Sequence, residues 1–501
     1  NGDDTINNLS PNGNDPQFIF RNCNIFFNPN AKIITSAANK DLTFEACSLA
    51  RCGTGLWDGI YMSNPSDDLF ITSGTTVEGC ANCFVASRET NVTVTDAAFT
   101  AFHRALVFND YDDPAEVIIT GNTFTGSNNL PAPYSGQRSA CIICIDDVQR
   151  ITIGNLSGAA NILSTADKGI VAVNSDVNIY NNTFSGFPQV NMTDMFDGTG
   201  IDCSNDFTFD LRLWPRNNIV VQGNTFDGST DEIHYGIKTT NVNTYIGVDQ
   251  NASEANTMDY VRNGIYAVGG WAKTTEIAGN TITNTQTGIR TWSHRDNISI
   301  RNNTVTVSDG GNAAIQIDGA WSESGISEIK GNSITTEGMF GVLTRSAYVT
   351  IKENTIAMNH NSAATPVFGI RAEATPNGKI GCNSILGNGT TTIANKTAIS
   401  CTQSHELTVQ CNTTDETSIG LEFLADCDNS TIQGNEMKYH DYGIYIGDGG
   451  IPTGGVIGPQ TVNDDGESRG NKYQGENDSG VFPCGDATFT FNSIAPPDFW
   501  T

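Results

Sequence analysis

Short runs of alternating apolar and polar residues recur along the chain, and turn residues separate them. Residues 300–321 read IRNNTVTVSDGGNAAIQIDGAW, in which the runs IRNNTVTV and AAIQID are joined by SDGGN. A helix needs apolar positions three or four residues apart, whereas alternation is typical of strands with one buried face. The pattern therefore predicts short β-strands joined by tight turns, with no helical stretch.

An asparagine-centred signature repeats along the chain, with neighbouring copies 22 to 42 residues apart. Its asparagines are Asn122, Asn155, Asn182, Asn224, Asn256, Asn280, Asn303, Asn332, Asn354, Asn383, Asn412, Asn435 and Asn471, and Asn24 marks a degenerate early copy. A small residue and an aliphatic one follow almost every copy, as in Gly288-Ile289 and Gly341-Val342. Such a period with short strands predicts a solenoid of about 15 coils.

The repeated Asn has a structural explanation in such a solenoid. A single unit has too few apolar residues to bury a face alone, so it must stack on its neighbours. The Asn of each coil then lies at one inward-facing bend, where its amide bonds to the Asn above and below. This internal ladder satisfies buried polar groups that would otherwise cost about 1–3 kcal/mol each.

The Asn repeat with its Gly-Ile pairs resembles the right-handed parallel β-helix repeats of the pectate-lyase-like superfamily, of the secreted bacterial type. The resemblance covers roughly residues 20–490. It implies an all-β fold and one domain over 1–501, with a lead-in over 1–20 and a C-terminal end or cap over 470–501. The superfamily includes polysaccharide lyases, glycoside hydrolases, carbohydrate esterases, phage tailspikes and adhesins, so the fold leaves the activity open.

The strands that begin with Gly-Ile predict two columns of outward side chains, because alternate residues of a strand face opposite sides. The first outward column includes Asp202, Lys238, Tyr266, Arg290, Gln316, Leu343, Arg371, Ser400, Glu422 and Tyr445. The second includes Trp292, Asp318, Arg345 and Glu373. The same columns are apolar from Val85 to Val173, so long connections must cover that stretch. We expect inserts at 125–140, 185–199, 204–219 and 241–260 to wall a groove over the central coils.

Asp318 and Glu373 are the candidate catalytic carboxylates. They are two coils apart, roughly 10 Å at the usual strand spacing, which side-chain movement could reduce to the about 6.5–9.5 Å of an inverting glycosidase. Arg345 lies between them as a third candidate. The alternative is a surface ladder in which the three side chains neutralise one another.

Aromatic and polar residues on the same flank are the candidate substrate-binding groups. Trp271, Trp292, Trp321 and Tyr348 are spaced to offer platforms for sugar rings, unless they pack beneath a loop. Arg290, Gln316 and Arg371 would surround them.

A second candidate group comprises Asp202, Lys238, Tyr266 and Arg290, with His234 just upstream. A β-elimination lyase needs a cation to neutralise a uronate and a base. Any solvated sheet would also carry such residues, and no Gly-His-Gly motif of the polygalacturonases is found.

Composition narrows the class of partner. The chain has 501 residues and a net charge of −29, which excludes nucleic acid as a partner because binding it requires clustered Lys and Arg. No apolar run approaches the about 18 residues of a membrane span. The polar opening NGDDTINN predicts an excised segment of a secreted precursor, located outside the cell or on its surface.

Thirteen cysteines predict an oxidising compartment with some disulfides. In the pairs Cys80/Cys83 and Cys141/Cys144, residues three apart on a strand would face opposite sides, which argues against zinc. Cys382 and Cys411, each preceding a ladder Asn, are expected within disulfide range. No metal ligand is assigned, although acidic turns at 110–113 and 464–467 allow Ca²⁺.

The sequence therefore predicts an extracellular β-helix protein that binds a polysaccharide or cell-surface glycan. A catalytic form of this hypothesis adds processing of the same ligand. The alternative is a non-catalytic adhesin or filament-forming solenoid that self-associates or attaches to further modules of its precursor.

Overall fold

Strands and turns make up the computed structural model. It describes residues 17–35, 40–62, 64, 67–87, 90–110, 117–127, 129–135, 137, 139–145, 148, 151–187, 198–205, 217–249, 251, 254–270, 273–292, 297–320, 327–360, 365–387, 395–447, 460–461, 471–474, 479–483 and 491–492. No helix that is long and apolar enough to cross a membrane occurs among them.

The chain divides into two compact units, 1–262 and 263–501. In each unit a coil passes through three strands, which lie on three parallel faces that we name the first, second and third sheets in chain order. The first sheet is interrupted once, between the strands Val117–Thr120 and Ile151–Ile153. The ladder Asn lies at the bend between the first and second sheets, and the Gly-Ile pair lies in the third sheet.

In the first unit, successive coils supply one strand to each sheet. The first-sheet strands are Gln17–Arg21, Asp41–Glu45, Asp68–Thr72, Asn91–Thr95, Val117–Thr120, Ile151–Ile153, Val177–Tyr180, Asn218–Gln222 and Asn243–Ile246. The second-sheet strands are Asn24–Phe27, Ser48–Arg51, Thr76–Glu78, Ala98–Thr100, Thr123–Thr125, Asn161–Ser164, Asn182–Ser185, Thr225–Asp227 and Thr257–Asp259. The third-sheet strands are Lys32–Thr35, Trp57–Met62, Cys80–Ser87, Arg104–Asn109, Ala140–Ile145, Lys168–Val173, Thr199–Ser204 and Ile233–Thr240.

The second unit repeats this arrangement. Its first-sheet strands are Thr275–Ala278, Ile298–Arg301, Ser327–Lys330, Val349–Lys352, Lys379–Gly381, Thr408–Gln410 and Thr431–Gln433. Its second-sheet strands are Thr281–Thr285, Thr304–Val307, Ser333–Thr336, Thr355–Met358, Ser384–Leu386, Thr413–Asp415, Glu436–Lys438 and Lys472–Gln474. Its third-sheet strands are Val261–Val268, Thr287–Trp292, Ala313–Asp318, Phe340–Arg345, Val367–Glu373, Lys396–Thr402, Ile419–Leu424, Tyr442–Gly447 and Ser479–Pro483, and a small separate pair comprises Gln460–Thr461 and Phe491–Asn492.

Stacking in register builds the core. Ile300 pairs with Ile329, Val305 with Ile334, and Ile315 with Val342, one pair in each sheet. All six side chains are buried, because the apolar set of each strand points inside the coil. The predicted right-handed parallel β-solenoid is confirmed.

The predicted asparagine ladder is confirmed in both units. In the second unit, the Oδ1 of Asn303 accepts hydrogen bonds from the backbone N and the Nδ2 of Asn280, both at 2.9 Å. The Nδ2 of Asn303 donates to the Oδ1 of Asn332 at 3.0 Å and to the carbonyl oxygen of Ile277 at 3.0 Å. Every polar atom of this buried amide is therefore satisfied, as a buried group requires.

The residue before the ladder Asn explains the recurring Gly-Asn and Asn-Asn pairs. This residue has a positive φ at Gly121, Asn181, Gly223, Gly279, Asn302, Gly331, Glu353, Cys382, Cys411 and Gly434. Glycine and asparagine tolerate that left-handed conformation better than other residues. The conformation turns the chain from the first sheet into the second, so the dipeptide is a turn signal as well as a ladder signal.

The sequence assignment of the ladder was wrong at two positions. Asn155 is exposed, and Asn161 takes the ladder position instead, bonded to Asn122 and Asn182. The segment 154–160 is an insertion that delays the bend, and the Oδ1 of Asn155 accepts a bond from the backbone N of Ser157 within it.

Asn24 was the second wrong assignment. It is an exposed strand residue, and Cys23 lies at the bend instead. The Cys23 and Cys47 sulfur atoms are 3.3 Å apart, so a pair of thiols replaces the amide pair in these first coils.

The two sulfur atoms of Cys80 and Cys83 are joined in a disulfide, whereas the strand periodicity placed them on opposite faces. The register explains the difference: Gly59 pairs with Asn82 but Ile60 pairs with Phe84, so Cys83 is an extra residue in its strand. Such a bulge turns both cysteines to the buried side. In later coils a small residue such as Gly341 occupies the position of Cys83. A Cβ atom on Gly341 would lie 2.5 Å from the carbonyl oxygen of Gly369.

We expect Asn303→Ala to destabilise the protein by about 1–3 kcal/mol for each buried group left unpaired, because amides above and below lose their partner. Asn155→Ala is the matched control, since Asn155 carries the same sequence signature but is exposed. Urea unfolding of both variants measures the difference. Equal losses of stability in the two variants would contradict the assigned role of the ladder.

We expect Cys382 and Cys411 to form a disulfide in the presence of oxidised glutathione. Both are exposed, lie on successive coils before ladder residues, and share a left-handed backbone with φ of 56° and 54°. The bond would add up to about 3 kcal/mol of stability for a loop of this length. Peptide mass mapping before and after reduction detects it, with Cys382→Ser as control. Full alkylation of both thiols after oxidation would refute this pairing.

Candidate functional site

The third sheet of the second unit presents the predicted outward columns in register. The first column pairs Tyr266 with Arg290, Arg290 with Gln316, Gln316 with Leu343, Leu343 with Arg371, Arg371 with Ser400, and Ser400 with Glu422. The second column pairs Trp292 with Asp318, Asp318 with Arg345, and Arg345 with Glu373. We call these residues the polar face of the second unit.

Part of the polar face is buried. Gln316 and Leu343 are both almost inaccessible, although they point away from the coil interior. Leu343 joins an apolar cluster with Ala313, Phe340 and Phe368, in which the two phenylalanine rings stack with centroids 5.6 Å apart. Gln316 is therefore a supporting residue of this face rather than a surface for a ligand.

Asp318 accepts hydrogen bonds from two neighbouring side chains, Arg290 and Gln316. The Nη2 and Nε of Arg290 lie 3.1 and 3.2 Å from its Oδ2. The Nε2 of Gln316 donates to the same oxygen at 2.6 Å, while the Oε1 of Gln316 accepts a bond from Asn312 at 3.0 Å. These hydrogen bonds fix the position of the Asp318 carboxylate.

Arg345 bridges the two candidate catalytic carboxylates. Its Nε donates to Glu373 at 2.8 Å, and its Nη1 lies 3.8 Å from Asp318. Arg371 adds an ion pair with Glu373 at 2.6 Å. Three guanidinium groups therefore share two carboxylates, which is the neutralising ladder that the sequence left open as an alternative. Because three guanidinium groups face two carboxylates, these five residues together carry a net charge of +1.

Trp292 is the exposed aromatic residue of this face, with half of its surface accessible. Its strand neighbour in the next coil is Asp318, so a flat apolar ring lies beside a hydrogen-bonding network. Tyr348 is half-buried and its backbone N donates to Ala320 at 3.0 Å. The guanidinium of Arg290 lies 5.8 Å from the ring centroid of Tyr266. The predicted platforms Trp271 and Trp321 lie outside the described residues.

Glu422 is a candidate that the sequence reasoning passed over. It is buried and accepts a hydrogen bond from Ser400 at 2.6 Å. Burial raises the pKa of this carboxyl, and the bond from Ser400 and the charge of Arg371 oppose the rise. Its place in the first outward column was the signal that could have identified it, because a carboxylate there lies in line with Arg371.

The second predicted group is only partly assembled within the first unit. The Oδ2 of Asp202 accepts a bond from Lys168 at 2.7 Å, and Lys238 lies 3.8 Å from its other oxygen. Asp202 and Lys238 are both buried. Lys168 was not predicted, although it precedes the Gly169 pair and so starts a third-sheet strand. His234 is buried with its ring against Tyr235, at a centroid distance of 4.4 Å.

The first of the four predicted inserts packs against apolar residues of the first unit that lie outside the outward columns, so the predicted cover of Val85 to Val173 stays a prediction. Leu130 and Tyr134, within 125–140, pack against Leu56 and Ala81. Tyr134 also contacts the ring of His103 at 4.8 Å. Burial, with a smaller contribution from the charge of Arg104, lowers the pKa of His103 to about 4, so this ring is neutral at physiological pH.

The remaining inserts differ. Most of 185–199 and 204–219 lies outside the described residues. The prediction of an insert at 241–260 was wrong in part, because that range contains the regular strands Asn243–Ile246 and Thr257–Asp259. Their polar composition, with Thr244 at an inward-facing position and Asn243 beside it also buried, disguised the strand pattern. Of the acidic turns considered for Ca²⁺, 464–467 and most of 110–113 are likewise outside the described residues.

One family model matches part of the chain and agrees with the fold. Residues 305–453 match the family model described as a right handed beta helix region. One similar solved structure is described as "a new PL6 alginate lyase complex with trisaccharide", with 11% identity over 90% of this chain and 79% of that chain and a TM-score of 0.21. Another is the "Azotobacter vinelandii Mannuronan C-5 epimerase AlgE6 A-module", with 12% identity over 94% and 91% and a TM-score of 0.15. No curated protein matches the chain.

Glu422→Gln should change the pH dependence of stability. Because burial raises the folded-state pKa of Glu422, the folded protein keeps this proton to a higher pH than the unfolded chain. Glu422 therefore contributes stability below its unfolded pKa, and this contribution is lost as pH rises through the folded value.

We expect Glu422→Gln to melt above the wild type at about pH 8 and level with it at about pH 4, where the carboxyl is protonated in both states. Differential scanning calorimetry across this range measures the effect, and Glu406→Gln, on an exposed turn, controls for loss of a charge. A melting difference that does not vary with pH would count against a buried, proton-retaining Glu422.

Proposed function

We propose that the protein binds polysaccharide along the polar face of the second unit. The observation that carries this proposal is the exposed ring of Trp292 beside the hydrogen-bonded side chains Arg290, Asp318 and Arg345 on a rigid sheet. An amphipathic ring offers apolar contact to the flat face of a sugar, while flanking polar groups bind its hydroxyls.

The charge of this face favours an acidic polysaccharide. Three arginines and three carboxyl groups lie on this face, but the carboxyl of Glu422 is buried, so among the more accessible side chains Arg290, Arg345 and Arg371 outnumber Asp318 and Glu373. The side chains of Arg290 and Arg345 are 41% and 45% exposed. A guanidinium group binds a carboxylate through two parallel hydrogen bonds. The excess guanidinium groups thus supply a local attraction that opposes the negative charge of the whole chain.

The proposed activity is binding rather than turnover. Both candidate catalytic carboxylates are engaged by arginines, and Asp318 accepts from Gln316 as well. Carboxylate oxygens that already accept hydrogen bonds from arginine and glutamine side chains are not free to contact a reacting group. Turnover would require a ligand to displace Arg345 from Asp318 and Glu373.

An extracellular location fits this function and the chain's disulfide. The Cys80–Cys83 disulfide belongs to an oxidising compartment. Polysaccharides of cell walls and surfaces would be the partners there.

A structural role is the second candidate, and the first coil favours it. Strand Gln17–Arg21 pairs with Asp41–Glu45, and no further partner is found for it among the described residues. Ile19 and Phe26 on this end are 45% and 68% exposed. An open strand edge with exposed apolar side chains is a template for end-to-end association, so an adhesin or filament subunit is the alternative.

We expect Trp292→Ala to weaken binding to a soluble acidic polysaccharide at least about tenfold, equivalent to about 1.4 kcal/mol. Isothermal titration calorimetry against uronate-containing and neutral polysaccharides measures the affinity. Tyr439→Ala is the matched control, because Tyr439 is an equally exposed aromatic residue, 52% accessible, that is not part of the polar face.

Three further outcomes distinguish polysaccharide binding, polysaccharide turnover and a structural role. Release of unsaturated or reducing ends by the wild type but not by Asp318→Asn would replace binding by turnover. Loss of binding in Tyr439→Ala but not in Trp292→Ala would refute the proposed face. Concentration-dependent assembly in light scattering, without binding to any polysaccharide tested, would establish the structural role instead.

A further inference from the structure

The turns that follow the third sheet in the second unit bring together a histidine and two aspartates. His405 lies three residues after strand Lys396–Thr402 ends, and Asp426 and Asp428 lie in the equivalent turn after strand Ile419–Leu424. One ligand atom from each of these residues lies within 4.8 Å of the other two. We call this set the turn cluster.

One ring nitrogen faces both carboxylates of the turn cluster. The Nδ1 of His405 makes a close contact with the Oδ1 of Asp428 and lies 3.9 Å from the Oδ1 of Asp426. All three side chains are about half exposed, at 45%, 44% and 54%. Solvent therefore has access to the space between them, and water molecules could complete the coordination of an ion there.

The backbone holds the turn cluster in place without help from a ligand. The N of Glu406 donates to the carbonyl oxygen of Asp428 at 2.9 Å, which ties the two turns together. The N of Asp428 donates to the Oδ1 of Asp426 at 3.3 Å. Between the two aspartates, Cys427 is fully buried and anchors the turn to the coil interior. A ligand would therefore bind without having to order these turns.

The second carboxylate distinguishes this cluster from an ordinary ion pair. His360 and Asp309 form a single histidine–carboxylate contact at 3.8 Å elsewhere in the unit. In the turn cluster a second aspartate faces the same nitrogen, and two carboxylates in one place repel each other unless a cation lies between them. A divalent cation bound between them would remove that repulsion.

We propose that His405, Asp426 and Asp428 bind one divalent transition-metal ion, for which Zn²⁺ is the probe. Imidazole nitrogen suits Zn²⁺ and related ions, while a site for Ca²⁺ would be built from oxygen ligands alone. The ion would take the lone pair of the His405 Nδ1, which is available only when that nitrogen carries no proton. Binding therefore weakens as pH falls, because protons compete for the imidazole.

Titration calorimetry of the full chain with Zn²⁺ tests this site, with exposed thiols blocked by alkylation beforehand so that cysteines do not contribute. We expect the wild type to bind one equivalent more than His405→Gln, and Asp428→Asn to bind that ion at least about tenfold more weakly. Glu436→Gln is the matched control: its carboxylate is exposed and pairs with Lys438 at 3.1 Å, away from the turn cluster. Equal concentrations of Ca²⁺ should not displace Zn²⁺.

Several results would overturn the assignment. Identical Zn²⁺ stoichiometry and affinity in the wild type and His405→Gln would show that these residues bind no ion. Displacement by Ca²⁺ would show an acidic turn without selectivity for a transition metal. Circular dichroism of each variant checks that the solenoid is intact, and a binding loss equal in Glu436→Gln would indicate a general charge effect. The polysaccharide proposal is unaffected by any of these outcomes.

Discussion

The hydrogen-bonded stack of asparagine side chains is the interaction on which the rest of the solenoid depends. Each amide both accepts from the coil before it and donates to the coil after it, as Asn303 does between Asn280 and Asn332. A displacement of one coil would leave buried donors and acceptors unpaired in two others, which costs more than the bonds themselves contribute. The stack therefore keeps successive coils in one register, and in-register side chains outside the coil follow from it.

The polar face is a consequence of that register. Arg290, Asp318, Arg345 and Glu373 come from successive coils and meet because their strands stack without slippage. A parallel stack repeats a surface position about every 4.8 Å, so side chains of opposite charge at equivalent positions neutralise each other along the axis. Because the strands stack in register, the polar face is long, but its carboxylates are paired with arginines of neighbouring coils. This pairing favours ligand binding over acid–base catalysis.

The turns are where the two units depart from pure repetition. At the bend after the third sheet, side chains do not have to stack into the core, and successive coils carry different residues there: Pro376, then His405, then Asp428. The backbones of these turns nevertheless remain linked by hydrogen bonds from coil to coil. A regular scaffold with variable corners thus positions chemically different groups at a fixed spacing, as loops on rigid sheets generally do.

The sequence by itself determined the fold and most of the register, because alternation of buried residues and a recurring Asn each report a local requirement. It identified both outward columns and the contact of Arg345 with its neighbours. It failed at Asn155, where an insertion moved the bend to Asn161, and at Cys83, where a bulge reversed a side chain. Tertiary structure alone decided which outward residues are buried, such as Gln316, and which turns meet, such as those of His405 and Asp428. Those outcomes depend on neighbouring coils far away in sequence, and no local pattern records them.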